Sequence, residues 1–460
     1  MIVEEILNTP SPASLARALC ERRGFFFLDS AQPMADRAFS FIGFDPFLTW
    51  RVSGDRIQVD TQGTSVEVCA EPLPHLRDLM ARYRSAGDVA IPFTGGAVGF
   101  FGYEFGANLD GVHRRLGNDR GTPDAQLGFY DGIIACDLVT GKTFAAANPV
   151  ASTRADQILA RLRDAVRDAA GSGLPAPGPK NRVPAGCEPV PDLNPEAYLR
   201  LVARAKDYIA AGDIYQVNLS QRFECTMTEH PYTIYERLRR LSPAPFGAYF
   251  NPGCGQILSS SPELLLRLDP NGRVLTRPIK GTRPRGRTAA EDEHLAAELT
   301  GSEKDHAELL MIVDLERNDL GRVCEYGSVR VEERYRLEAH PTVFHLVATI
   351  SGQLRQDRDV FDCLRFMFPG GSITGAPKIR AMQIIGELES GPRHVYTGSL
   401  GYLGFDGTCD LNIAIRTIQC REGRAAYHVG GAIVSDSDPA GEYQETLDKG
   451  RAMRAALRGE

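Results

Sequence analysis

The sequence predicts a protein of mixed helices and strands, in two blocks separated by a proline-rich linker. Two segments, Arg56–Asp60 and Ile214–Phe223, alternate polar and apolar residues as half-buried strands do. Two others, Ser11-Pro12 and Asn194-Pro195, place an N-cap residue directly before a first-turn proline and therefore begin helices. Residues 171–195 carry seven prolines and several glycines without apolar periodicity, which is typical of a linker.

The first block comprises residues 1 to about 170. Its predicted elements, in chain order, are helix 11–20, strands 24–30, 39–46 and 56–60, helix 73–85, strand 131–137 and helix 151–170. A glycine-rich run, Thr94–Tyr103, superficially resembles a dinucleotide-binding loop. It lacks the helix and the acidic residue that such a loop requires, so close packing of a strand is the better interpretation.

The second block follows the linker, residues 171–193, and comprises residues 194–460. Its predicted elements are helices 194–211, 232–241, 304–320 and 379–385, and strands 214–223, 396–405 and 411–416. Segment 396–405 echoes residues 93–103, which suggests related sheet elements. On strand 214–223 the polar residues Gln216, Asn218 and Ser220 share one face, which faces either solvent or a site.

Composition excludes several classes of protein. With 43% hydrophobic and 24% charged residues, the 460-residue chain has an ordinary soluble composition. The net charge of −7 argues against binding to nucleic acid or to an anionic membrane, and no apolar run is long enough to span a bilayer. The acidic start of the chain, Met1–Glu5, is unlike a signal peptide. We therefore expect a cytoplasmic protein whose ten cysteines are reduced thiols.

A candidate catalytic lysine lies in the basic segment Arg277–Gly286. Lys280 follows the short strand Val274–Thr276, and the surrounding prolines and glycines predict a rigid turn at the strand end. Neighbouring arginines would favour the neutral, nucleophilic form of its amine. Taken alone, the segment is more typical of a solvated basic loop, or of a patch for nucleic acid, because runs of charge usually lie on the surface.

Two groups of acids are spaced to share helical faces. Asp305 and Glu308 are three residues apart, and Glu442, Glu445 and Lys449 have spacings of three and four. Together the four carboxylates could hold Mg²⁺, which prefers oxygen ligands, if both pairs face one cavity. A single pair of this kind is usually a solvated face with a Glu–Lys contact worth about 0.2–0.5 kcal/mol.

Other polar residues are candidates for a functional site, but each also has an equally simple structural explanation. Glu263 follows a strand at a turn, a common place for a working carboxylate, although a surface glutamate would look the same. Arg416 lies on the polar side of a predicted strand and could bind a carboxylate through two hydrogen bonds, or could simply be exposed. The segment Pro369–Lys378 mimics a phosphate-binding loop, but alanine and proline replace its lysine and hydroxyl, which excludes a nucleotide triphosphatase.

Five motifs in a fixed order carry a resemblance to a known family. They are Asp213–Ser220, Ser261–Glu263, Glu308–Asp319, Pro369–Lys378 and Glu442–Lys449. In these motifs the chain resembles the chorismate-utilising enzymes, which comprise the large components of anthranilate and aminodeoxychorismate synthases together with isochorismate and salicylate synthases. The resemblance is dense from about residue 194 to 455 and weaker over 1–170. It implies an α+β fold in which large antiparallel β-sheets form a sandwich-like core with helices outside.

Two positions discriminate within this family. Members that add water to chorismate have a lysine base where this chain has Gln216, so the resemblance favours amination over hydration. Anthranilate synthases usually have alanine in the Pro-Ile-x-Gly-Thr motif, whereas Lys280 resembles the aminodeoxychorismate synthase form. The resemblance therefore implies conversion of chorismate and ammonia to 4-amino-4-deoxychorismate, for para-aminobenzoate and folate biosynthesis.

The resemblance also implies roles for individual residues. Lys280 would attack C2 of chorismate and form a covalent adduct, while Glu263 would protonate the departing C4 hydroxyl. Arg416 and Tyr396 would hold the enolpyruvyl carboxylate. The other residues that would line the pocket are Thr282, His345, Gly430 and Lys449.

A metal ion and a protein partner are implied in the same way. Glu308 and Glu445 would hold Mg²⁺ at the ring carboxylate, with Asp305 and Glu442 nearby or acting through water. A glutamine amidotransferase subunit would supply ammonia, since the length of the chain is taken up by the two blocks.

Two alternatives remain open at this point, together with the question of regulation by tryptophan. The chain could be an anthranilate synthase component, which would release anthranilate and pyruvate. It could be a catalytically silent subunit that binds chorismate or an amino acid for regulation. Some relatives bind tryptophan in the first block; Leu28–Ser30 partly matches that pocket, but Ser242–Phe246 lacks the start of the regulated pattern.

Overall fold

Two large β-sheets with helices on their outer faces dominate the protein. The computed structural model describes residues 1–34, 38–61, 63–87, 91–112, 120–151, 153–171 and 186–460. The helices are α1 (Pro12–Leu19), α2 (Pro72–Ala81), α3 (Tyr103–Leu109), α4 (Ala155–Gly171), α5 (Pro195–Ala210), α6 (Pro231–Leu241), α7 (Ala289–Thr300), α8 (Glu303–Gly321), α9 (Val360–Met367), α10 (Lys378–Leu388) and α11 (Pro439–Arg458). None of the helices in these ranges combines the length and the apolar character needed to span a bilayer.

The strands fall into a first and a second sheet. They are β1 (Ile2–Ile6), β2 (Phe26–Asp29), β3 (Phe39–Gly43), β4 (Leu48–Ser53), β5 (Arg56–Thr61), β6 (Thr64–Cys69), β7 (Gly96–Phe101), β8 (Ala125–Tyr130), β9 (Gly132–Asp137), β10 (Thr143–Ala147), β11 (Val190–Pro191), β12 (Gln216–Thr226), β13 (Phe246–Phe250), β14 (Gln256–Ser261), β15 (Leu264–Leu268), β16 (Arg273–Arg277), β17 (Ile279–Pro284), β18 (Arg330–Ala339), β19 (Val343–Gln353), β20 (Gly375–Ala376), β21 (Ser399–Gly404), β22 (Cys409–Asn412), β23 (Thr417–Arg421) and β24 (Arg424–Ile433).

The described strand pairs are antiparallel, as the resemblance implied. The first sheet has the order β1-β10-β9-β3-β2-β13-β14-β23-β24-β12-β11, with β20 beside β12. The second has the order β17-β19-β16-β15-β22-β21-β7-β8-β4-β5-β6, with β18 beside β19. The α+β prediction with large antiparallel sheets is therefore confirmed.

Strands from both sides of the predicted linker share each sheet. In the first sheet β2 pairs with β13. In the second, β7 pairs with β21 and places Phe101 opposite Ser399, so the two similar segments 93–103 and 396–405 are neighbours. Of the predicted linker 171–193, residues 172–185 lie outside the described ranges, and Val190–Pro191 pair with β12.

The two sheets pack face to face around an apolar layer. Phe26, Phe41 and Ala248 of the first sheet belong to one buried cluster with Val98 and Tyr402 of the second. Helices α1, α4, α6 and α11 contribute to an apolar cluster with the first sheet, and α2, α8 and α9 contribute to one with the second. This arrangement is the predicted sandwich-like core with helices outside.

The cysteines differ in part from the expectation of ten reduced thiols. Cys187 and Cys225 form a disulfide, with their Cα atoms 5.9 Å apart. Cys187 lies just before β11, and Cys225 lies on β12, so the pairing of these two strands brings the cysteines together. The other eight are free thiols, and six of them are buried.

Candidate active site

The chain crosses between the two sheets at two adjacent places, and each crossing carries a predicted site residue. Glu263 lies between β14 of the first sheet and β15 of the second, and Arg416 lies between β22 of the second and β23 of the first. Backbone hydrogen bonds join the crossings: the N–H of Ile413 donates to the carbonyl of Glu263 at 3.0 Å, and the N–H of Ser260 donates to that of Arg416 at 3.1 Å. The prediction that Arg416 continues a strand is wrong, because β22 ends at Asn412 and Arg416 has a φ of 49°.

Lys280 lies in β17 at the edge of the second sheet, opposite Leu346. The prediction of a turn at this position is wrong, because the segment pairs with β19, although a bulge interrupts the pairing between Lys280 and Thr282. Gly281 forms the bulge with a φ of 73°, a conformation that favours glycine. A Cβ atom at Gly281 would also lie 3.0 Å from the Asp305 carboxylate.

The surroundings of the Lys280 amine lower its pKa. The largest cause is the loss of water around a buried amine, and the charge of Lys449 acts in the same direction. The carboxylates of Glu308, Glu263 and Glu445 act against this lowering. Groups from β17, α8, α11 and the first crossing therefore meet at one amine.

The arginines close to Lys280 in sequence are not the cause of this shift. Three of them are each paired with a carboxylate, which compensates its charge. The pairs are Arg277 with Glu338, Arg283 with Glu298 (2.7 Å) and Asp305 (3.1 Å), and Arg285 with Asp292 (2.5 Å). The sequence prediction of a depressed pKa thus has the right direction but the wrong cause, because burial dominates.

Glu263 is a buried acid bonded to the strand that carries Lys280. Its side chain accepts a hydrogen bond from the N–H of Ile279 at 3.2 Å, and the residue is only 3% exposed. Burial raises the pKa of Glu263, while Ser372, the N–H of Ile279, Lys280 and Lys449 act against the rise. A carboxyl group that keeps its proton near neutral pH can serve as a general acid.

Acids from α8 and α11 lie around the same amine. Burial is the main cause of the raised pKa of Glu308, and Glu445 contributes to it. Lys449 forms an ion pair with Glu445 at 2.6 Å and is the main cause of the lowered pKa of Glu445. Asp305 instead pairs with Arg283, so its charge is already compensated on the side of α8 that faces β17.

Glu442 has a buried carboxylate oxygen beside Gly431 that is suited to a cation. One oxygen of Glu442 accepts a hydrogen bond from Ser437 at 2.7 Å, whereas Oε2 is buried and has no hydrogen-bond partner in the described ranges. A Cβ atom at Gly431 would lie 2.9 Å from this Oε2 and 3.9 Å from Oε1 of Glu445. A buried carboxylate oxygen without a partner, beside a strand position where a Cβ atom would be too close, fits a hard cation such as Mg²⁺.

The carboxylates around Lys280 do not form a closed metal site. Within the described residues, three His, Cys, Asp or Glu side chains have donor atoms within 4.8 Å of one another only at Cys20, Glu21 and His230. There, Nδ1 of His230 accepts the N–H of Tyr232 at 3.2 Å, which leaves Nε2 to donate its proton to Glu21 at 2.6 Å. Both ring nitrogens are therefore engaged in hydrogen bonds.

His345 connects the lysine strand to the second crossing. Its Nδ1 lies 3.0 Å from the hydroxyl of Thr282, and its Nε2 lies 3.4 Å from Nη2 of Arg416. Because a guanidinium can only donate, Nε2 accepts and Nδ1 carries the proton that it donates to Thr282. Burial holds the pKa of His345 well below its usual range and lowers that of Arg416 to about 10. Arg416 thus remains a cation beside a neutral imidazole.

A second group of predicted pocket residues meets at β24. A Cβ atom at Gly430 would lie 3.0 Å from both the hydroxyl of Tyr396 and Oδ1 of Asn218. The amine of Lys449 donates to the carbonyl of Gly430 at 3.1 Å. Glycine at this position therefore allows the Tyr396 hydroxyl to approach the strand closely.

The polar face of β12 points into the protein. Gln216, Asn218 and Ser220 are all buried, which excludes the solvent-facing alternative that the sequence left open. Neither amide atom of Gln216, nor Oδ1 of Asn218, has a hydrogen-bond partner in the part of the chain that the structure describes. Buried amides without partners are costly and are a common feature of ligand sites.

Sequence reasoning missed Arg393, which is 1% exposed. Its guanidinium forms hydrogen bonds of 2.6 and 2.9 Å with Glu389 and donates to the carbonyl of Asn218 at 2.7 Å. It also lies against the ring of Tyr396, 5.7 Å from the centroid. The spacing of four residues between Glu389 and Arg393 indicates an ion pair, but nothing local to the segment indicates that the pair is buried.

Comparisons with a family model, with related sequences and with a solved structure all indicate the same protein family. A family model described as chorismate binding enzyme matches residues 26–455. Anthranilate synthase component 1 of Acetivibrio thermocellus is 35% identical over 99% of this chain and 94% of its own. Aminodeoxychorismate synthase component 1 of Bacillus subtilis (strain 168) is 41% identical over 79% of this chain and 77% of its own. The crystal structure of anthranilate synthase component I from Streptococcus pneumoniae TIGR4 superposes with a TM-score of 0.81 at 32% identity, covering 92% of this chain and 93% of that one.

Proposed function

Because the chain belongs to the chorismate-binding enzymes, we propose that it converts chorismate and ammonia to 4-amino-4-deoxychorismate with the help of Mg²⁺. The observation that carries the proposal is the position of Lys280, a half-buried residue whose amine has a pKa lowered by loss of water and lies among Glu263, Glu308 and Glu445. A neutral amine is a nucleophile, and a protonated carboxyl beside it can assist a poor leaving group. A subunit that only binds chorismate for regulation would need neither group.

The first step forms a covalent adduct with Lys280. The electron pair of the amine attacks C2 of chorismate, both conjugated double bonds of the ring shift by one position, and the bond between C4 and its oxygen breaks. Glu263 gives its proton to the departing hydroxyl, which leaves as water. The enzyme then holds a secondary ammonium at C2, and Glu263 is a carboxylate.

The second step exchanges nitrogen atoms. Ammonia attacks C4, both double bonds shift back, and the bond between C2 and Lys280 breaks, which returns the free amine. The new ammonium at C4 loses one proton, and Glu263 recovers it. Chorismate and ammonia thus give 4-amino-4-deoxychorismate and water without net consumption of protons.

Magnesium would supply positive charge at the ring carboxylate of chorismate. Glu308 and Glu445 would hold the ion, and Glu442, with its unpartnered oxygen, and Asp305 would stand nearby. The other residues proposed to line the pocket are Arg416 and Tyr396 at the enolpyruvyl carboxylate, and Thr282, His345, Gly430 and Lys449.

The product identifies the reaction. The purified chain is incubated with chorismate, an ammonium salt and Mg²⁺, and the products are separated and identified by mass. We expect 4-amino-4-deoxychorismate without release of pyruvate. Anthranilate synthase is the second candidate, because relatives of that name match this chain over nearly its whole length; anthranilate with an equal amount of pyruvate would establish it instead. Absence of any turnover would favour the silent regulatory subunit.

A lysine variant tests the covalent step. Lys280→Ala should slow formation of 4-amino-4-deoxychorismate on the order of 100-fold or more, because the one-step displacement of hydroxide is difficult. Lys142→Ala, which removes an exposed lysine paired with Glu5, is the matched control. With chorismate but no ammonia, the intact wild-type protein should gain the mass of chorismate less water, and Lys280→Ala should not. Unchanged turnover of the variant would remove the covalent step.

The source of ammonia is a further part of the proposal. We propose that a glutamine amidotransferase subunit binds this chain in the cytoplasm and supplies ammonia from glutamine. Glutamine alone should then support no turnover by the purified chain, and addition of such a subunit should restore it. Free ammonium should bypass the partner.

A further inference from the structure

The side-chain amide of Asn218 lies beside residues of the proposed pocket and has no part in the steps above. Asn218 is on β12 and is 7% exposed, and its Oδ1 has no hydrogen-bond partner among the residues that the structure describes. A Cβ atom at Gly430 would lie 3.0 Å from this Oδ1 and 3.0 Å from the hydroxyl of Tyr396. The Asn218 oxygen and the Tyr396 hydroxyl therefore border the same point of the pocket.

The backbone of Asn218 is held on both sides. Its N–H donates to the carbonyl of Thr374 at 2.8 Å, and its carbonyl accepts from Arg393 at 2.7 Å. Across the pair of strands β12 and β24, Asn218 is opposite Ala432, whose methyl group forms no hydrogen bond. A buried acceptor without a donor is costly, so an amide anchored in this way points to a donor that a ligand supplies.

A second amide lies on the same face of β12. Gln216 precedes Asn218 by two residues and is fully buried, and neither its oxygen nor its nitrogen has a hydrogen-bond partner in the described part of the chain. The register of the sheet places Gln216 opposite Ala376, which again has no polar side chain. Two amide oxygens without donors, two residues apart on one strand face, are suited to a small ligand with several N–H groups.

The chemistry of the reactants shows which of them fits these acceptors. The two carboxylates of chorismate can only accept hydrogen bonds, so they do not match Oδ1 of Asn218. The hydroxyl at C4 is the one donor of the chorismate dianion, whereas ammonia has three N–H groups. The enolpyruvyl group is joined to C3, next to C4, and Tyr396 is proposed to hold its carboxylate. An acceptor beside Tyr396 is therefore suited to the nitrogen that attacks C4.

We propose that Asn218, together with Gln216, binds ammonia through its N–H groups and turns its lone pair toward C4. Hydrogen bonds from the N–H groups to the amide oxygens leave the lone pair of the nitrogen free to attack. This inference rests on the proposed function, but it applies to both candidate reactions, because formation of anthranilate also consumes ammonia. Asn218 thus contacts the second reactant rather than chorismate.

Asn218→Leu tests the proposal, because leucine has a similar shape but neither donates nor accepts hydrogen bonds. Loss of one hydrogen bond should raise the KM for ammonium about three- to tenfold and change the KM for chorismate by less than about twofold. Asn218→Asp keeps an oxygen at this position and should raise the KM for ammonium less than Asn218→Leu does. Asn271→Leu, in the exposed turn between β15 and β16, is the matched control and should change neither value.

Two results would overturn the inference. One is a KM for ammonium that Asn218→Leu leaves unchanged. The other is a KM for chorismate that rises while the KM for ammonium does not, since Asn218 would then contact chorismate. Both values are measured on whichever product the wild-type protein forms, so the identity of that product tests the proposed function separately.

A measurement on the wild-type protein covers the case in which the variants do not fold. Methylamine is a stronger nucleophile than ammonia, but a methyl group replaces one of its N–H groups. If the two amides receive the N–H groups, kcat/KM at equal concentrations of unprotonated amine should be at least about tenfold lower for methylamine than for ammonia. Equal kcat/KM for the two amines would contradict a site built for the N–H groups of ammonia.

Discussion

The buried ion pair of Glu389 and Arg393 leads to a quantitative prediction about stability. The two residues are 8% and 1% exposed, and their hydrogen bonds are 2.6 and 2.9 Å long. Arg393 also donates to the carbonyl groups of Asn218 and Ile373, at 2.7 and 3.1 Å. The pair thereby ties the end of α10 to the polar face of β12.

Glu389→Gln should destabilise the protein by about 3 kcal/mol. Removing one partner of a buried ion pair leaves the other charge uncompensated, which costs about 3–5 kcal/mol. The lower end applies because the glutamine oxygen can still accept from the N–H or the hydroxyl of Ser220, which lie 2.8 and 2.9 Å from the same Glu389 oxygen. Folded domains are typically stable by about 5–15 kcal/mol, so the loss is large.

Urea unfolding monitored by circular dichroism and by the fluorescence of Trp50, the single tryptophan, measures this change. Glu4→Gln is the control, because it breaks a pair with Arg163 whose side chains are 40% and 50% exposed, and it should change stability by less than about 1 kcal/mol. A cost below about 1 kcal/mol for Glu389→Gln would refute the reasoning. Glu389→Gln should also raise the KM for chorismate, because Arg393 lies against the ring of Tyr396, which is proposed to hold a carboxylate of the substrate.

Two further predictions concern the active site itself. Turnover should have a bell-shaped dependence on pH. It should rise as Lys280, whose pKa is lowered, loses its proton, and fall as Glu263, whose pKa is raised, loses its own. A profile without a falling limb would contradict the role of Glu263. Gly431→Ala should raise the Mg²⁺ concentration for half-maximal turnover about tenfold or more, because overpacking beside Glu442 costs about 1–3 kcal/mol. Gly386→Ala, where a Cβ atom meets nothing within 4 Å, is the control, and equal Mg²⁺ titrations would contradict the prediction.

Local signals in the sequence were enough to locate several helices. Ser11 was predicted to begin a helix, and its hydroxyl accepts the N–H of Ser14 at 3.3 Å at the start of α1. Asn194 was predicted to do the same, and it accepts the N–H of Ala197 at 2.8 Å at the start of α5. Such caps involve residues three apart, so they can be read without knowledge of the fold.

The surroundings of the site residues could not be predicted in this way. The pKa of Lys280 is lowered mainly by burial, to which distant segments of the chain contribute, whereas the arginines beside it in sequence are paired with acids. Asp305 and Glu308 looked equivalent on their helix, but Asp305 pairs with Arg283 while Glu308 lies beside the lysine. These differences depend on the pairing of strands and the packing of helices, which no spacing along the chain records.

The charges in the pocket explain why a metal ion belongs to the proposed reaction. Arg416 and Lys449 are cations, Glu308 and Glu445 are the acids proposed as ligands, and Lys280 and Glu263 are proposed to react in their neutral forms, so these groups sum to zero. Chorismate brings two carboxylates into a site where burial makes uncompensated charge costly. A divalent cation held by the acids would restore neutrality. Under the proposed function, Mg²⁺ is therefore required to bind the substrate as well as to assist its reaction.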